Sequence, residues 1–300
     1  MQSTSWAVTV LLAVCAMGCV RAQSADPDPG GMQRLYQSMR PRMTQSPFRR
    51  ALVLDSSEAP GRTSGDIYAV MDVALERLAL VNRDPVRWCE ILLLLSNSKN
   101  CAVSTSDGAP TLLLRMGTKG PQALASTTPM DFRFSSSAAQ APVVETLLNA
   151  TTGPMGTKDG TLSLRAIALG ADKSFIHLHY SYRSSLAGRM ATEVYLQTLG
   201  RGKVGFSAEQ AAPGEAGQPV AGALVGGVRG IIERNTMRYF LGLRCALQFA
   251  SNEVPGQRFG LMAPCWYDET ERYALQLHEM PRQDYLDMKR EEYAREAPGH

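Results

Sequence analysis

Two histidines separated by one residue form the pair best suited to chemistry in this sequence. On a strand, His177 and His179 leave the same face, and imidazoles at that spacing can hold a metal ion. The residues that alternate with them are apolar, so we expect the apolar face to be buried and both rings to face solvent. A zinc site needs a further ligand, and the remaining histidines, His278 and His300, lie in the C-terminal segment. We therefore predict neither a bound metal nor another cofactor.

Acidic residues and glycines offer no clear catalytic arrangement. Asp66, Asp72, Glu76 and Glu90 lie in segments that we interpret as helices, where acids commonly cap the first turn or face solvent. The sequence has no G-x-S-x-G nucleophile motif. Its glycine cluster at 222–230 lacks the lysine and the hydroxyl residue of a phosphate loop. We predict no catalytic residue and favour a function without catalysis.

The cysteines give a structural prediction. Two of the six lie in the first 22 residues, and the other four are Cys89, Cys101, Cys245 and Cys265. These four form neither a C-x-x-C motif nor the paired spacing of a zinc ribbon. We predict disulfides between Cys89 and Cys101 and between Cys245 and Cys265, because these pairings close the shortest loops, although the sequence leaves the crossed pairings open.

Residues 1–22 are typical of a secretory signal. They contain an apolar run at 6–17 and end in small residues, so we expect cleavage after Ala22. The apolar run is shorter than the ~20 residues of a membrane-spanning helix. An alternative is a lipoprotein signal whose lipidated residue is Cys19, which would attach the protein to a membrane. Both interpretations place the protein in the periplasm or outside the cell, where disulfides persist.

Composition excludes two classes of protein. With 44% apolar residues, the 300-residue chain can bury a core, so disorder is excluded for most of its length. A formal net charge of +3 is too small for the concentrated basic surface that nucleic-acid binding requires.

Apolar spacing predicts the elements before Cys101. Residues 23–46 are rich in Asp, Pro, Gly, Gln and Arg, and we expect a flexible leader there. A domain is predicted at 47–252, beginning with a strand at 50–54. Helical spacing begins at Asp66, which can cap a first helix, and a second helix is predicted at 86–95.

After Cys101, apolar residues alternate with polar ones, as they do in strands with one solvent-facing side. Turn residues separate five such segments and favour an antiparallel meander. The predicted strands are 112–116, 130–134, 143–149, 162–169 and 174–183.

Helical spacing returns in the last third of the chain. We predict helices at 186–199 and 228–250, of which the second is the longest in the protein. A loop and two charged helical segments, 269–279 and 282–296, form the predicted tail at 253–300.

The predicted elements follow the order of the helix-grip fold, which is a strand, two helices, a run of antiparallel strands and a long C-terminal helix. Over about residues 47–250 the chain resembles the START-like superfamily of lipid and hydrophobic-ligand carriers. This resemblance implies an α+β fold in which a curved antiparallel sheet wraps around the long helix. Several short strings are similar to a family of uncharacterised exported proteobacterial proteins, which implies an exported location and no particular activity. They are GDIYA at 65–69, WCEIL at 88–92, GPMGT at 153–157, KVGF at 203–206, GGVRG at 226–230 and ERNTMRY at 233–239.

A curved sheet closed by one amphipathic helix leaves space between them for a small molecule. Its polar lining residues need hydrogen-bond partners, which a ligand head group or the protein itself can supply. The residues that we expect to contact the ligand are Leu112, Leu114, Met116, Phe132, Phe134, Leu162, Leu164, Ile176, Leu178, Tyr180, Tyr182, Asn235, Tyr239 and Leu243.

The sequence thus predicts an exported protein that encloses an apolar or amphipathic small molecule, a lipid being one candidate, without catalysis. Two alternatives stay open. One is an envelope interaction protein that binds a protein partner through its charged C-terminal tail. The other, less favoured, is a metal-dependent hydrolase centred on the histidine pair.

Overall fold

A computed structural model describes residues 28–106, 108–137, 141–198, 200–209 and 223–295, with the side chains of residues 186 and 187 excepted. The predicted signal segment, its cleavage after Ala22 and the alternative lipidation of Cys19 lie outside the described residues.

One antiparallel sheet forms the body of the protein. Its strand order is β1-β2-β8-β7-β6-β5-β4-β3. From β3 to β8 each strand lies beside the one before it, and β8 then pairs with β2, which comes earlier in the chain. Each pair of neighbouring strands is antiparallel. The strands are β1 Leu52–Ala59, β2 Arg62–Met71, β3 Ser98–Ser104, β4 Thr111–Met116, β5 Thr128–Ser136, β6 Val144–Thr152, β7 Thr157–Ala168 and β8 Ser174–Ser184.

The helices lie on both sides of this sheet. The longest, α5, packs against β1, β2 and β8 on the concave side, together with α2 and α3. The architecture is therefore the expected α+β helix-grip fold, with a curved antiparallel sheet around a long helix. The helices are α1 Pro29–Thr44, α2 Leu75–Asn82, α3 Pro85–Leu93, α4 Leu186–Gln197, α5 Gly227–Gln248, α6 Pro255–Glu271, α7 Ala274–Leu277 and α8 Arg282–Ala294.

A glycine in β2 lets the long helix approach the sheet closely. A Cβ atom at Gly65 would collide with Thr236 of α5 and come within 3.3 Å of Ile232. The loop before α5 is fixed to the helix by Glu233, whose carboxylate accepts hydrogen bonds from the backbone N–H groups of Phe206 and Ser207 at 2.6 and 2.9 Å. The start of α5 is therefore held on both sides.

The prediction of a flexible leader at 23–46 is wrong for most of its length, because Pro29–Thr44 forms the helix α1. Met32, Tyr36, Met39 and Met43 recur at helical spacing and pack on the convex face of the sheet, where Phe175 is fully buried. The polar composition of this segment hides that single apolar stripe.

The predicted helix beginning at Asp66 is also wrong, because Arg62–Met71 forms strand β2. Ile67 and Ala69 face the concave core, whereas Tyr68 and Val70 pack against the α1 side. Both faces of β2 are covered, so apolar residues occur at successive positions and the strand period is obscured. Strand β3 was not predicted either.

Both predicted disulfides are confirmed. Cys89 of α3 is bonded to Cys101 of β3, and Cys245 of α5 is bonded to Cys265 of α6. Disulfides indicate a compartment other than the cytoplasm. None of the helices in the described ranges has the length and apolar character that a membrane span requires.

The C-terminal helices pack on the unit formed by the concave face of the sheet and helix α5, which we call the grip. In α8, Tyr285 and Met288 are buried, and the Tyr285 hydroxyl donates a hydrogen bond to the carbonyl of Leu94 at 2.7 Å. The tail therefore belongs to the packed body of the protein, and docking of a partner on its exposed face stays a prediction.

Candidate functional site

The strand residues expected to line a ligand site all lie on the concave face. Leu112, Phe132, Leu162 and Leu178 are fully buried, and Leu243 of α5 is packed in the same apolar cluster. These side chains fill the deep part of the grip. A separate cavity of about 180 Å³ lies outside the grip, between α6 and α8.

Slight solvent contact on the concave face occurs at several positions, such as Met71 and Met116 at 8%, and one group of these positions includes the tyrosines beside α5. Met130, Tyr180, Tyr182 and Tyr239 keep between 5% and 7% of their surface exposed. The hydroxyls of Tyr180 and Tyr239 hydrogen-bond each other, and their rings lie 5.0 Å apart. Burial raises the pKa of Tyr239 to about 12, so this pair is neutral at physiological pH. We call these four residues the mouth of the grip.

A cluster of positive charge, which we call the cationic rim, surrounds Glu279. Lys119 Nζ and Arg238 Nη2 lie 2.6 and 2.7 Å from Glu279 Oε1. Arg234, also buried, donates to the carbonyl of Val204. Lys203 lies beside Lys119. These four cations come from the β4–β5 loop, the loop before α5, and α5 itself.

In the rim, the negative charge of Glu279 does not balance the positive charges of the four cations around it. Burial, and then the neighbouring Lys119, lower the pKa of Lys203 to about 8. Burial alone would raise the pKa of Glu279, but Arg238 and Lys119 hold it below its usual value, so the carboxylate is ionised. The Nε–H of Arg238 is buried, and no residue in the described part of the chain accepts a hydrogen bond from it. An additional anion would stabilise these cations.

The rim and the mouth are adjacent because Arg238 and Tyr239 are consecutive residues of α5. Asn235, predicted to face the ligand, is half-buried on the same helix, and its side-chain oxygen accepts a hydrogen bond from Arg238 at 3.2 Å. Helix α4 lies over this end, against β8 and α5, and carries the exposed apolar residues Met190 and Val194. A buried apolar cluster thus lies beside a cationic one.

The histidine pair lies on the opposite, convex face, as predicted, but it has a partner that the sequence did not reveal. Asp66 Oδ1 lies 2.8 Å from His177 Nε2 and 2.8 Å from His179 Nδ1. Desolvation of Asp66 is outweighed by the hydrogen bonds from both rings, which together lower its pKa to about 2. The other ring nitrogen of His179 lies 3.1 Å from Ser181 Oγ.

Sequence reasoning missed Asp66 because the segment was assigned to a helix. Once Arg62–Met71 is a strand, its register with β8 places Asp66 opposite His179 and Tyr68 opposite His177. An alternation of Ser64, Asp66 and Tyr68 with buried residues was the available signal. The rim was missed because its members are contributed by separate loops and helices.

No family model and no curated protein matches this sequence. Solved structures are similar in fold only. A protein from Thermus thermophilus is 10% identical, with a TM-score of 0.40, over 63% of this chain and 99% of that one.

Two enzymes give weaker similarity. A point mutant of norcoclaurine synthase from Thalictrum flavum, in complex with a transition-state analogue, is 11% identical, with a TM-score of 0.34, over 48% of this chain and 91% of that one. The Zhui aromatase/cyclase from Streptomyces sp. R1128 is 12% identical, with a TM-score of 0.32, over 45% of this chain and 86% of that one. On its own strand order and helix placement, the chain is START-like, that is, helix-grip, in fold.

Proposed function

We propose that the protein is an exported binding protein that encloses an amphipathic small molecule with an acidic head group, without catalysis. The observation that carries this proposal is the meeting of an apolar mouth with a cationic rim at one end of the grip. A single-chain lipid acid has both features that these surfaces would recognise.

The rim supplies the head-group contacts. A carboxylate placed near Lys203 and Lys119 would offset part of the charge of the two ammonium groups. It would also offer an acceptor to the Nε–H of Arg238, which has no hydrogen-bond partner among the described residues. Glu279 already occupies part of this position, so the ligand would add a second acid to the cluster.

The mouth supplies the apolar contacts. Met130, Tyr180 and Tyr182 retain slight exposure near α4, and an acyl chain that enters here would displace side chains beneath that helix. Met130 and the helix α4, which makes few contacts with the sheet, are suited to that movement. An exported location is supported by the two disulfides and by the predicted signal segment.

The test compares an acid with the alcohol of the same chain length. Delipidated full-length protein is titrated by calorimetry with hexadecanoate and with hexadecanol in parallel. We expect hexadecanoate to bind more tightly, and Lys203→Gln to weaken hexadecanoate about tenfold, or ~1.4 kcal/mol, while leaving hexadecanol unchanged. The matched control is Lys173→Gln, because Lys173 lies on the surface at 54% side-chain exposure, paired with Asp72.

Two outcomes would contradict the proposal. If neither compound binds and native mass spectrometry of the purified protein shows no co-purified apolar molecule, the protein does not enclose such a ligand. If both bind equally and Lys203→Gln has no more effect than Lys173→Gln, the protein does not recognise an acidic head group.

A further inference from the structure

Asp66, His177 and His179 have the composition and placement of a metal-ligand set. We propose that these three side chains bind one divalent transition-metal ion, of which zinc is the representative, on the convex face of the sheet. The site is independent of the ligand-binding proposal, because it lies on the other side of the sheet from the grip.

The three ligand atoms already converge. They all lie within 4.8 Å of one another, and Asp66 Oδ1 is 2.8 Å from a nitrogen of each ring. Zn–N and Zn–O bonds of about 2.0–2.1 Å in tetrahedral geometry place ligand atoms roughly 3.3 Å apart. Each contact would therefore lengthen by roughly 0.5 Å, which small side-chain rotations supply.

The scaffold holds these ligands in place. Asp66 lies on β2 and both histidines lie on β8, and the two strands are paired over their whole length. The ring of Tyr68 stacks on His177, with centroids 4.6 Å apart and planes 12° apart. Metal-binding histidines are commonly oriented by a hydrogen bond from the second ring nitrogen, and Ser181 provides that partner for His179.

Neighbouring cations are engaged by other groups. Arg165, opposite His177 on β7, forms an ion pair with Glu145 in which its Nε lies 3.3 Å from the carboxylate, although that Nε makes no hydrogen bond to a described residue. Arg42 forms two hydrogen bonds to Asp55. Arg62 reaches the cluster through Ser181, to which it donates a hydrogen bond at 2.9 Å. The carboxylate of Asp66 is thus shared by the two imidazoles and available to a metal.

An acid–base triad is the rival interpretation of the same atoms. The order Ser181, His179 and Asp66 matches a nucleophile, a base and an orienting acid. Ser181, however, has no exposed surface, and Arg62 occupies its oxygen, so a substrate has no access to the hydroxyl. The ligand side chains are 19% to 26% exposed, which gives an ion access and leaves a coordination position for water.

The experiment uses full-length protein stripped of metal with a chelator. Zinc is titrated in competition with a chromogenic chelator, and we expect one zinc per chain with an affinity in the micromolar range or tighter. His177→Gln is expected to weaken zinc at least tenfold. The matched control is His278→Gln, whose ring pairs with Glu271 on the surface, and it should leave the affinity unchanged.

A second measurement keeps the proposal testable if His177→Gln fails to fold. Cobalt(II) added to the wild-type protein should give the intense visible absorption of a four- or five-coordinate ion bound by nitrogen and oxygen ligands. The proposal would be overturned if the wild type failed to bind zinc at micromolar concentration. It would also be overturned if His278→Gln abolished zinc binding while a folded His177→Gln retained it. The weak spectrum of six-coordinate cobalt would overturn it as well.

Discussion

At the scale of single residues, two of the polar clusters in the described part of the chain have opposite balances of charge. On the convex face, two imidazoles share one carboxylate, Asp66. In the cationic rim, four cations gather around Glu279. In the first cluster the carboxylate is hydrogen-bonded to both rings. In the second, the buried Nε–H of Arg238 has no hydrogen-bond partner among the described residues, and the pKa of Lys203 is lowered.

Lys203 should therefore reduce stability in the absence of ligand. Its pKa is about 8 in the folded protein, against 10.5 for an ordinary lysine, so the charged form is disfavoured by folding. This cost is present in full below pH 8 and disappears as pH rises from 8 to 10.5, where the folded lysine loses its proton first. Lys203→Gln should raise the free energy of unfolding by about 1 kcal/mol at pH 7, after allowance for solvent screening.

Urea unfolding at pH 7 and at pH 10 measures this effect. We expect the advantage of Lys203→Gln over the wild type to shrink at the higher pH, while Lys173→Gln equals the wild type at both. If Lys203→Gln were no more stable than the wild type at pH 7, the charge of Lys203 would not reduce the stability of the folded protein.

The direction in which a side chain points could be predicted where apolar and polar residues alternate along a strand. The outward direction of His177 and His179 followed from the alternation in their own strand. The position of Asp66 did not, because the apolar residues that follow it, from Ile67 to Met71, were interpreted as helical spacing although burial alternates along the strand. The ligand-lining set stays a prediction, and its deeper members fill the grip.

At the scale of elements, α1 shows how a helix can be missed. Its composition is polar, yet Met32 and Met43 are nearly inaccessible to solvent. The helix covers Phe175 and Val53 on the convex face and therefore stabilises the sheet from outside.

Truncation of the α1 stripe should be costly. Met32→Ala removes a fully buried side chain, and we expect a loss of about 2–4 kcal/mol in the free energy of unfolding. Gln37→Ala, on the exposed side of the same helix, should change it by less than about 0.5 kcal/mol. Equal effects in chemical denaturation would mean that α1 does not pack on the sheet in solution.

The elements that sequence analysis found share one property. Strands β4 and β5 have a buried and an exposed face, so their apolar period of two is visible. In β3, Ser98 and Lys99 are both buried although adjacent and polar, because α8 covers that strand, and no local pattern records a helix that lies almost 190 residues further along the chain.

At the scale of the whole molecule, a buried ionic cluster connects the C-terminal helix to the sheet. Glu292 accepts hydrogen bonds from Lys99 at 2.9 Å and from Lys289 at 2.7 Å. Both lysines are fully buried, and Lys289 also donates to the carbonyls of Leu95 and Ser98. The single charge of Glu292 is thus shared by two buried ammonium groups.

Removing that charge should destabilise the entire fold. Glu292→Gln leaves buried lysine charge without a counter-charge, and we expect a loss of about 3–5 kcal/mol by thermal or chemical unfolding. The neighbouring Glu291→Gln serves as the control, since Glu291 is 67% exposed and should contribute under about 0.5 kcal/mol. If the tail only docks on a partner, both variants will unfold like the wild type.

The strand order has a further consequence for the behaviour of many molecules together. Strands β1 and β3 are the margins of the sheet, and a marginal strand is a template on which another chain can add a strand. At β3 this route is obstructed by α8, whose Lys289 occupies the carbonyl of Ser98, and by the disulfide that ties Cys101 to α3. The C-terminal helix therefore obstructs edge-to-edge polymerisation through β3.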